Sequence, residues 1–504
     1  MSTQKTLLAV DFGASGGKCF AGCFGNDGSF KMHEVHRFAH EGISFFLPDR
    51  NNNIAERIHW DDTYLYHNIL NGILAAKRDI SPTVDAIGVD TWGADGQLMS
   101  ADGDMLGKVY CYRDHRLDSM IEKVKAKIDP QRIYEITGIH FQPFNLSNQL
   151  LWLVENRPEF FLPGSYFLPV PALFTYYLCG AKVVDSSWAS VTQLMDAAKR
   201  EWSSEMLDAL GISTSIMPRI VAPGAQAGNM HQALAHKLGI APPAIIATAA
   251  HDTACAFAAA PVSKPDKALI ISSGTWSLIG KLIPDPITSQ QAMQAGISNE
   301  GGIGNVRFLK NCMGSWLTQE LRRGWRDTDG REPEWQELDD LTAAAPAHAA
   351  IIDPDDPSFY NPPNMQQAII DYCHKTGQQP PADRGTFLRV VYESLALKYR
   401  YVNQQICEAC GQQTEIVHIV GGGSRNELLN NFVANAMNMP VLAGPEEGTA
   451  VGNLMTQAMG VGLLPNMQAA QPVIRAAFPI REFKPSGNTA AWDRAYEKFV
   501  RLLS

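Results

Sequence analysis

Short apolar runs that end in glycine-rich polar loops set the pattern of this chain. The first run, residues 7–10, stops at Asp11 and is followed by a glycine-rich turn at 13–17. Residues 18–24 after the turn are again mostly apolar and have no helical period. This order predicts a β-hairpin of strand, turn and strand.

The turn itself, Gly13-Ala14-Ser15-Gly16-Gly17, has three interpretations. Its G-x-S-x-G pattern is that of a serine hydrolase nucleophile elbow, but the elbow needs a helix directly after the serine. The strand predicted at 18–24 disfavours that interpretation. A phosphate-binding turn, in which backbone N–H groups face the anion and Lys18 adds charge, remains open. A plain hairpin turn remains open as well.

The same order of elements recurs in the second half of the chain. Residues 267–282 predict a second strand–turn–strand unit, with Ser273-Gly274-Thr275 at the turn. Buried strands that end in polar loops are predicted within 84–99 and again within 414–437. The apolar residues after the second of these loops have helical spacing. This repeat predicts two duplicated α/β domains.

We place the boundary of the predicted domains between residues 246 and 247, which gives domains 1–246 and 247–504. No low-complexity linker separates them. We therefore expect closely packed domains with a cleft between them.

Composition and charge narrow the functional classes. The 504 residues are 45% hydrophobic and 19% charged, which is ordinary for a globular protein. The net charge of −10 disfavours a nucleic-acid binder that relies on bulk electrostatics. No apolar run approaches the ~20 residues of a membrane span. We expect a cytoplasmic protein with a small-molecule substrate, no nucleic-acid or membrane partner, and a monomeric or homodimeric state.

The nine cysteines are predicted to be reduced thiols, because their number is odd and no secretory signal is evident. Cys407 and Cys410 form a single C-x-x-C without a second pair or a histidine cluster. Two helix residues near a turn are a better interpretation of this pair than a metal or redox site.

Polar clusters follow five of the predicted strands. In open α/β sheets, ligands bind at the ends of strands, so these clusters are candidate site segments. They are Asp11 to Lys18, Asp90 to Asp95, His251 to Thr253, Ser272 to Thr275, and Gly421 to Asn426.

Asp252 is a candidate general base, because it stands between an apolar run and a small-residue helix and could accept a proton from a substrate hydroxyl. Asp is also a favoured helix N-cap, and taken alone the capping role is the commoner one. His251 taken alone is more often structural.

These segments together resemble the FGGY carbohydrate kinases, within the wider actin, hexokinase and Hsp70 ATPase superfamily. The resemblance runs in order along nearly the whole chain. Its motifs are VDFGASGGK at 10–18, IGVDTWGADG at 87–96, YRDHR at 112–116, PFNLSNQL at 143–150, HDTACA at 251–256, SSGTWSLIG at 272–280, NEGG at 299–302, LKNCMGSWL at 309–317 and HIVGGGSRNELLN at 418–430.

The resemblance implies an α/β fold of two actin-like (ribonuclease H-like) ATPase domains around a cleft. It places the sugar mainly on the N-terminal domain and ATP mainly on the C-terminal one. The residues that it assigns to ATP are Ala14, Ser15, Gly16, Gly17, Lys18, Thr275, Asn311, Gln319, Gly421, Gly422 and Gly423. Those that it assigns to the substrate are Trp92, Gly93, His251, Asp252 and Thr253.

The resemblance also implies a reaction. Asp252 is the expected base, and Asp11 is expected to help place Mg²⁺ through water. The ATP γ-phosphate would pass to the 1-hydroxyl of a ketose, with L-rhamnulose the first candidate and L-fuculose or another ketose or pentulose the nearest alternative. A more distant alternative is an actin- or Hsp70-like ATPase without a sugar substrate.

Two positions depart from the subgroup of this family that the chain most resembles. Ala172 stands where an aspartate is usual, and Trp188 stands where a small polar residue is common. Both lie in the half expected to bind the sugar, so they bear on which sugar fits.

Overall fold

The computed structural model describes residues 4–48, 52–487 and 489–503. By their contacts these residues divide into two compact units. The first unit comprises segments Met1–Ala259, Ile283–Phe308 and Gly448–Ala477, and the second comprises Ala260–Leu282, Leu309–Glu447 and Phe478–Ser504.

The strands of the described residues are β1 (Lys5–Gly13), β2 (Gly16–Phe24), β3 (Phe30–Ala39), β4 (Ile43–Pro48), β5 (Ile54–His59), β6 (Ala86–Thr91), β7 (Gly96–Met99), β8 (Tyr166–Pro169), β9 (Val183–Asp185), β10 (Met195–Asp196), β11 (Glu201–Trp202), β12 (Arg219–Val221), β13 (Ala225–Asn229), β14 (Ala244–Ala247), β15 (Ala268–Ser273), β16 (Trp276–Ile283), β17 (Ser298–Gly301), β18 (Val306–Met313), β19 (Ile416–Val420), β20 (Val441–Ala443) and β21 (Arg481–Phe483).

The α-helices are α1 (Asp62–Asp79), α2 (Met120–Lys125), α3 (Pro130–Thr137), α4 (Leu146–Asn156), α5 (Val170–Cys179), α6 (Ser186–Ser190), α7 (Ser204–Ala209), α8 (Gln232–Leu238), α9 (Asp252–Ala259), α10 (Gln290–Gln294), α11 (Trp316–Asp329), α12 (Trp335–Ala344), α13 (Met365–Lys375), α14 (Arg384–Cys410), α15 (Glu427–Met437), α16 (Gly448–Gly460), α17 (Met467–Ala477) and α18 (Thr489–Leu503).

The first unit is built on a mixed sheet with the strand order β13-β14-β6-β1-β2-β3. β1 is central: it runs parallel to β6 and antiparallel to β2. Its apolar residues 7–10 are fully buried, as expected for a strand covered on both faces. Helix α16 lies against β1 and β6, and its Gln457 donates a hydrogen bond to the Leu8 carbonyl at 3.0 Å.

The second unit contains a sheet in which strands run in the order β18-β16-β15-β19-β20-β21. β15 is antiparallel to β16 and parallel to β19, as β1 is to β2 and β6. The two units therefore repeat one arrangement, in which a strand is flanked by a hairpin partner and by a parallel neighbour. This is the duplication that the sequence predicts.

Both predicted glycine hairpins form, and so does the helix predicted after Gly421–Gly423, which is α15 with Asn426 as its cap. Cys407 and Cys410 lie in the last turn of α14, and the described cysteines are free thiols. In the described part of the chain, no helix is both long and apolar enough to cross a membrane.

Candidate active site

The predicted metal carboxylate, Asp11, lies near the end of β1 beside Asp90 on β6. Burial and the charge of Asp11 raise the pKa of Asp90 well above its usual range. Asn453 of α16 donates to Asp90 Oδ2 at 2.5 Å. Asp90 Oδ1 is buried and has no hydrogen-bond partner among the described residues. This pair can hold a cation, or one proton in its place.

The acidic pair fits Mg²⁺ better than it fits a metal held by protein ligands alone. Within the described ranges, no group of three His, Cys, Asp or Glu side chains is arranged to hold a metal ion. Mg²⁺ is usually held by one or two carboxylates, keeps several waters and takes further oxygens from a substrate phosphate. Asp11 and Asp90, with the unpartnered Asp90 oxygen, match that requirement.

The first glycine turn lies directly beyond the acidic pair. β1 and β2 pair up to Gly13 and Gly16, which leaves Ala14 and Ser15 as a two-residue turn. Residues 16–24 form a strand, so the helix required by a nucleophile elbow is absent after Ser15. The hydrolase interpretation is therefore excluded.

Two basic side chains flank this turn. Lys18 pairs with Asp11 in the register of β1 and β2. His40 Nε2 donates to the carbonyl of Gly13 at 2.8 Å. The His40 ring also lies against the indole of Trp92, with ring centroids 5.7 Å apart. His40 therefore joins the glycine turn to the loop that carries the predicted sugar residues.

That loop, which follows β6, is organised by Asp95. Oδ2 of Asp95 accepts hydrogen bonds from the indole nitrogens of Trp60 at 2.7 Å and Trp92 at 3.0 Å, and from the backbone N–H of Tyr112 at 3.2 Å. The backbone of Asp95 has a φ of 76°, a left-handed conformation that is uncommon outside glycine. Because the Trp92 N–H is already bonded, Trp92 can offer a ligand only its ring.

Trp188 and Ala172, the two departures from the subgroup, are both buried. The Trp188 indole donates to the Trp92 carbonyl at 3.1 Å, so Trp188 supports the loop from behind. Ala172 lies in α5, within the hydrophobic core of the first unit. Neither side chain adds a charge to the site.

The segment His251-Asp252-Thr253 joins the loop after β14 to α9. Two bonds fix its backbone: Thr91 N–H donates to the Ala250 carbonyl at 2.8 Å, and Ala250 N–H donates to Asp185 Oδ2 at 3.1 Å. This segment therefore lies beside the end of β6, next to the predicted sugar loop.

Asp252 has the properties of a general base. Its Oδ1 accepts hydrogen bonds from Thr253 N at 2.6 Å and Thr253 Oγ1 at 3.1 Å. Burial raises the pKa of Asp252 to about 6 even though these bonds oppose the shift. The side chain is still 30% exposed, so a substrate can reach it. An N-cap would bond to an N–H two or three residues further on, which Asp252 does not do.

His251 packs against Gly93, the other predicted sugar residue. A Cβ atom added at Gly93 would lie 2.7 Å from His251 Nε2, so only glycine leaves room for the ring. The Nδ1 side of the ring faces Arg307 of β18, whose Nη2 lies 3.1 Å away. Glu300 pairs with Arg307 through Nη1 at 3.0 Å. The sequence analysis assigned no role to Arg307 or to Glu300, although Glu300 lies in the NEGG motif at 299–302.

In the second unit, the turn at Gly274 and Thr275 is held by the loop after β18. Gly314 and Trp316 donate backbone N–H bonds to the Thr275 carbonyl at 3.1 and 3.3 Å. Ser315 Oγ donates to the Gly274 carbonyl at 2.8 Å. The β15–β16 register ends at Ser273 and Ser277, so Thr275 lies outside the hairpin ladder, as a phosphate-binding turn requires.

Gly421 to Gly423 begin directly after β19, beside the end of β15. Gly421 has a φ of 84°, and a Cβ added at Gly423 would lie 2.0 Å from Ser273 Oγ. The glycines therefore allow the chain to pass close to the second hairpin. They precede α15, whose N-terminus adds a partial positive charge.

Asn311 and Gln319 complete the predicted nucleotide residues. Asn311 lies on β18, and its Oδ1 is buried without a hydrogen-bond partner among the described residues. Gln319 lies on α11 and donates to Ser315 Oγ at 3.0 Å. Both thus lie in the segment that holds the second turn.

The structure brings the predicted residues together in two groups, one in each unit. The first group surrounds the acidic pair: Asp11, Ala14 to Lys18, Trp92, Gly93, His251, Asp252 and Thr253. The second group surrounds the second hairpin: Thr275, Asn311, Gln319, Gly421, Gly422 and Gly423. The roles assigned to these residues stay predictions.

Comparison with solved structures defines the class. The fold is similar to that of a ligand-bound xylulose kinase from Lactobacillus acidophilus, with a TM-score of 0.77 at 16% identity over 99% of this chain and 97% of that one. It is equally similar to a Plasmodium falciparum glycerol kinase with ADP, with a TM-score of 0.77 at 15% identity over 99% and 98%. The fold is thus the two-domain α/β fold that these two structures share.

Sequence comparison defines the family. Residues 50–258 match the FGGY family of carbohydrate kinases, N-terminal domain, and residues 269–461 match its C-terminal domain. A curated rhamnulokinase of Bacteroides thetaiotaomicron is 36% identical over 502 residues, which is 99% of this chain and 100% of the relative. One of Enterococcus faecalis is 34% identical over 504 residues, 99% of this chain and 98% of the relative. The chain belongs to the FGGY family of carbohydrate kinases. It is an ATP-dependent carbohydrate kinase that is rhamnulokinase-like over its full length.

Proposed function

We propose that this kinase transfers the γ-phosphate of ATP to the 1-hydroxyl of a ketose, and that L-rhamnulose is its substrate. The full-length similarity to relatives named rhamnulokinase supports the sugar. The observation that carries the chemistry is the 30% exposed carboxyl of Asp252, whose pKa is raised, beside a neutral His251 ring that packs on Gly93.

Asp252 acts as the general base in this proposal. Thr253 fixes Oδ1 with two hydrogen bonds, which orients the carboxylate toward the exposed side of the segment. The sugar 1-hydroxyl donates its proton to Asp252 as its oxygen bonds to the γ-phosphorus and ADP leaves. Positioning and electrostatic stabilisation supply most of the rate in such transfers.

The two glycine turns bind the phosphates of ATP. Ala14 to Lys18 contribute backbone N–H groups and one cation from the first unit, and Thr275 contributes its N–H from the second. The loop at Gly421 to Gly423 leaves room for the nucleotide to approach the backbone. Sugar binding mainly by domain 1–246 and ATP binding mainly by domain 247–504 belong to the same proposal.

Mg²⁺ is the expected cation, held at Asp11 and Asp90 in part through water. The ion would offset the negative charge that the phosphoryl group carries during transfer. Asp90 would then lose the proton that burial otherwise keeps on it. Asn453 holds the Asp90 carboxylate in place in either state.

Trp92 is the proposed apolar wall of the sugar site. Its indole N–H is bonded to Asp95, the residue is 5% exposed, and Trp188 and Ala172 are buried. A deoxysugar with an apolar methyl group suits such a wall better than a fully hydroxylated one. This favours 6-deoxyketoses, among which L-rhamnulose and L-fuculose differ in stereochemistry.

A panel of ketoses tests the proposal. ADP release is measured with Mg²⁺-ATP and L-rhamnulose, L-fuculose, L-ribulose, D-xylulose or D-fructose, with a sugar-free reaction as control. We expect the highest kcat/KM with L-rhamnulose, and phosphorus NMR of the product should show a phosphate on O1. Turnover only with another ketose would contradict the sugar, and ATP hydrolysis indifferent to every sugar would contradict the ketose kinase. The assay is run at near-neutral pH with purified full-length protein.

A further inference from the structure

Arg307 is fully buried, and its guanidinium contacts a carbonyl, a carboxylate and a histidine ring. Nε donates to the Gly301 carbonyl at 2.8 Å, Nη1 pairs with Glu300 Oε2 at 3.0 Å, and Nη2 lies 3.1 Å from His251 Nδ1. A buried arginine that meets a histidine, rather than only carboxylates and carbonyls, restricts the protonation of that histidine.

A guanidinium can only donate hydrogen bonds. His251 Nδ1 must therefore accept, which leaves the single ring proton of a neutral imidazole on Nε2. Burial and the Arg307 charge also lower the pKa of His251 well below its usual range, so the ring does not gain a second proton near neutral pH. The contact thus fixes both the charge and the tautomer of His251.

The Nε2–H group of His251 lies where the proposed substrate binds. Nε2 is 3.3 Å from Asp252 Oδ1 and directly over Gly93, where a Cβ would lie only 2.7 Å away. In the opposite tautomer, with the proton on Nδ1, Nε2 would direct its lone pair at the Asp252 carboxylate.

We propose that Arg307 is a positioning residue that holds His251 in its Nε2–H tautomer, so that the imidazole donates a hydrogen bond to a hydroxyl or carbonyl oxygen of the sugar next to Asp252. The proposal rests on the proposed function, in which the sugar binds beside Asp252 and His251. Glu300 holds Arg307 in place and neutralises its charge.

Glu300 favours the other tautomer of His251, in which the proton is on Nδ1. Its Oε2 is 3.5 Å from His251 Nδ1. Without Arg307, this carboxylate would draw the ring proton to Nδ1, because a carboxylate accepts and cannot donate when ionised. Loss of Arg307 should therefore reverse the tautomer rather than merely loosen the ring.

The test combines a tautomer measurement with kinetics. In the single variant Arg307→Met, His251 Nδ1 faces the Glu300 carboxylate alone. That carboxylate is then buried without its partner, which is strongly destabilising. The double variant Arg307→Met/Glu300→Gln removes both charges and keeps the fold testable. Arg78→Met is the matched control, because Arg78 is an exposed arginine on α1 whose ion pair among the described residues is with its neighbour Asp79.

Nitrogen-15 NMR of histidine-labelled enzyme, with His251→Gln used for assignment, reports which ring nitrogen carries the proton. We expect Nε2–H in the wild type and in Arg78→Met, Nδ1–H in Arg307→Met, and a mixture of both tautomers in the double variant, which lacks Arg307 and the competing carboxylate. The KM for the ketose should rise about 10- to 100-fold in folded Arg307→Met and by a smaller factor in the double variant, while the KM for ATP changes less than about 2-fold.

The result that would overturn the proposal is a wild-type His251 protonated on Nδ1, or a folded double variant with wild-type ketose KM. The NMR experiment needs no turnover. If the wild type phosphorylates no ketose but His251 carries its proton on Nε2 through Arg307, the proposed function fails and the tautomer assignment holds.

Discussion

As the general base, Asp252 must be ionised before it can accept a proton from the sugar. The rate should therefore fall when the pH drops below the Asp252 pKa. Burial raises this pKa to about 6, and the two bonds from Thr253 only partly offset the shift. An ordinary aspartate, with a pKa of about 3.9, would remain ionised at pH 5.

The magnitude follows from the titration of one group. With a pKa of about 6, the ionised fraction is about 0.9 at pH 7, about 0.5 at pH 6 and about 0.1 at pH 5. The value of kcat/KM for the ketose should therefore fall about 10-fold between pH 7 and pH 5, because this ratio reports the ionisation of the free enzyme. With an unshifted pKa, the same change of pH would remove less than about 10% of the activity.

The assay is initial-rate ADP release at limiting ketose and saturating Mg²⁺-ATP, from pH 4.5 to 8 at constant ionic strength. Circular dichroism at each pH checks that the fold persists, because burial also raises the pKa values of Asp95 and Asp185 to about 6. The control is the residual activity of Asp252→Asn, whose kcat/KM should not fall between pH 7 and pH 5. A kcat/KM that stays flat from pH 7 to pH 5 in folded enzyme would refute the assignment.

Three further predictions follow from the same site. Gly93→Ala places a Cβ 2.7 Å from His251 Nε2 and should raise the ketose KM at least about 10-fold. The control Gly324→Ala, at an open position in a helix, should leave the kinetics unchanged and add about 0.5–1 kcal/mol to the free energy of unfolding. Asp252→Asn should raise the free energy of unfolding at pH 7 by about 1–2 kcal/mol, because a carboxyl whose folded pKa lies above its unfolded pKa lowers stability once it ionises. Urea denaturation measures this free energy, and a variant no more stable than the wild type would contradict the prediction. Asp90→Asn should weaken the activation by Mg²⁺ about 10- to 100-fold in a titration of the rate, and an unchanged titration would remove Asp90 from the cation site.

The local elements of the site could be predicted from the sequence. The glycine turns at 13–17 and 274–275 interrupt apolar strands, and this pattern defines a hairpin without reference to the rest of the fold. Asp252 precedes a run of small residues, which predicts the start of α9. Each of these features depends on neighbouring positions only.

The partners that act across long stretches of chain were not predicted. Arg307 lies 56 positions after His251, and Asn453 lies 363 positions after Asp90. No periodicity or motif links such positions, because their contact depends on how the strands and helices pack. The boundary placed after residue 246 likewise contains no signal that residues 448–477 pack with the first unit.

The most direct test of the account is the rate of Asp252→Asn in L-rhamnulose-dependent ADP release at pH 7.5, with the wild type at the same Mg²⁺-ATP concentration. Because a positioned general base contributes about 10²- to 10⁴-fold, we expect a fall in kcat of that size with the KM for ATP nearly unchanged. A folded variant whose kcat stays within about 3-fold of the wild type would contradict the role of Asp252 as the base.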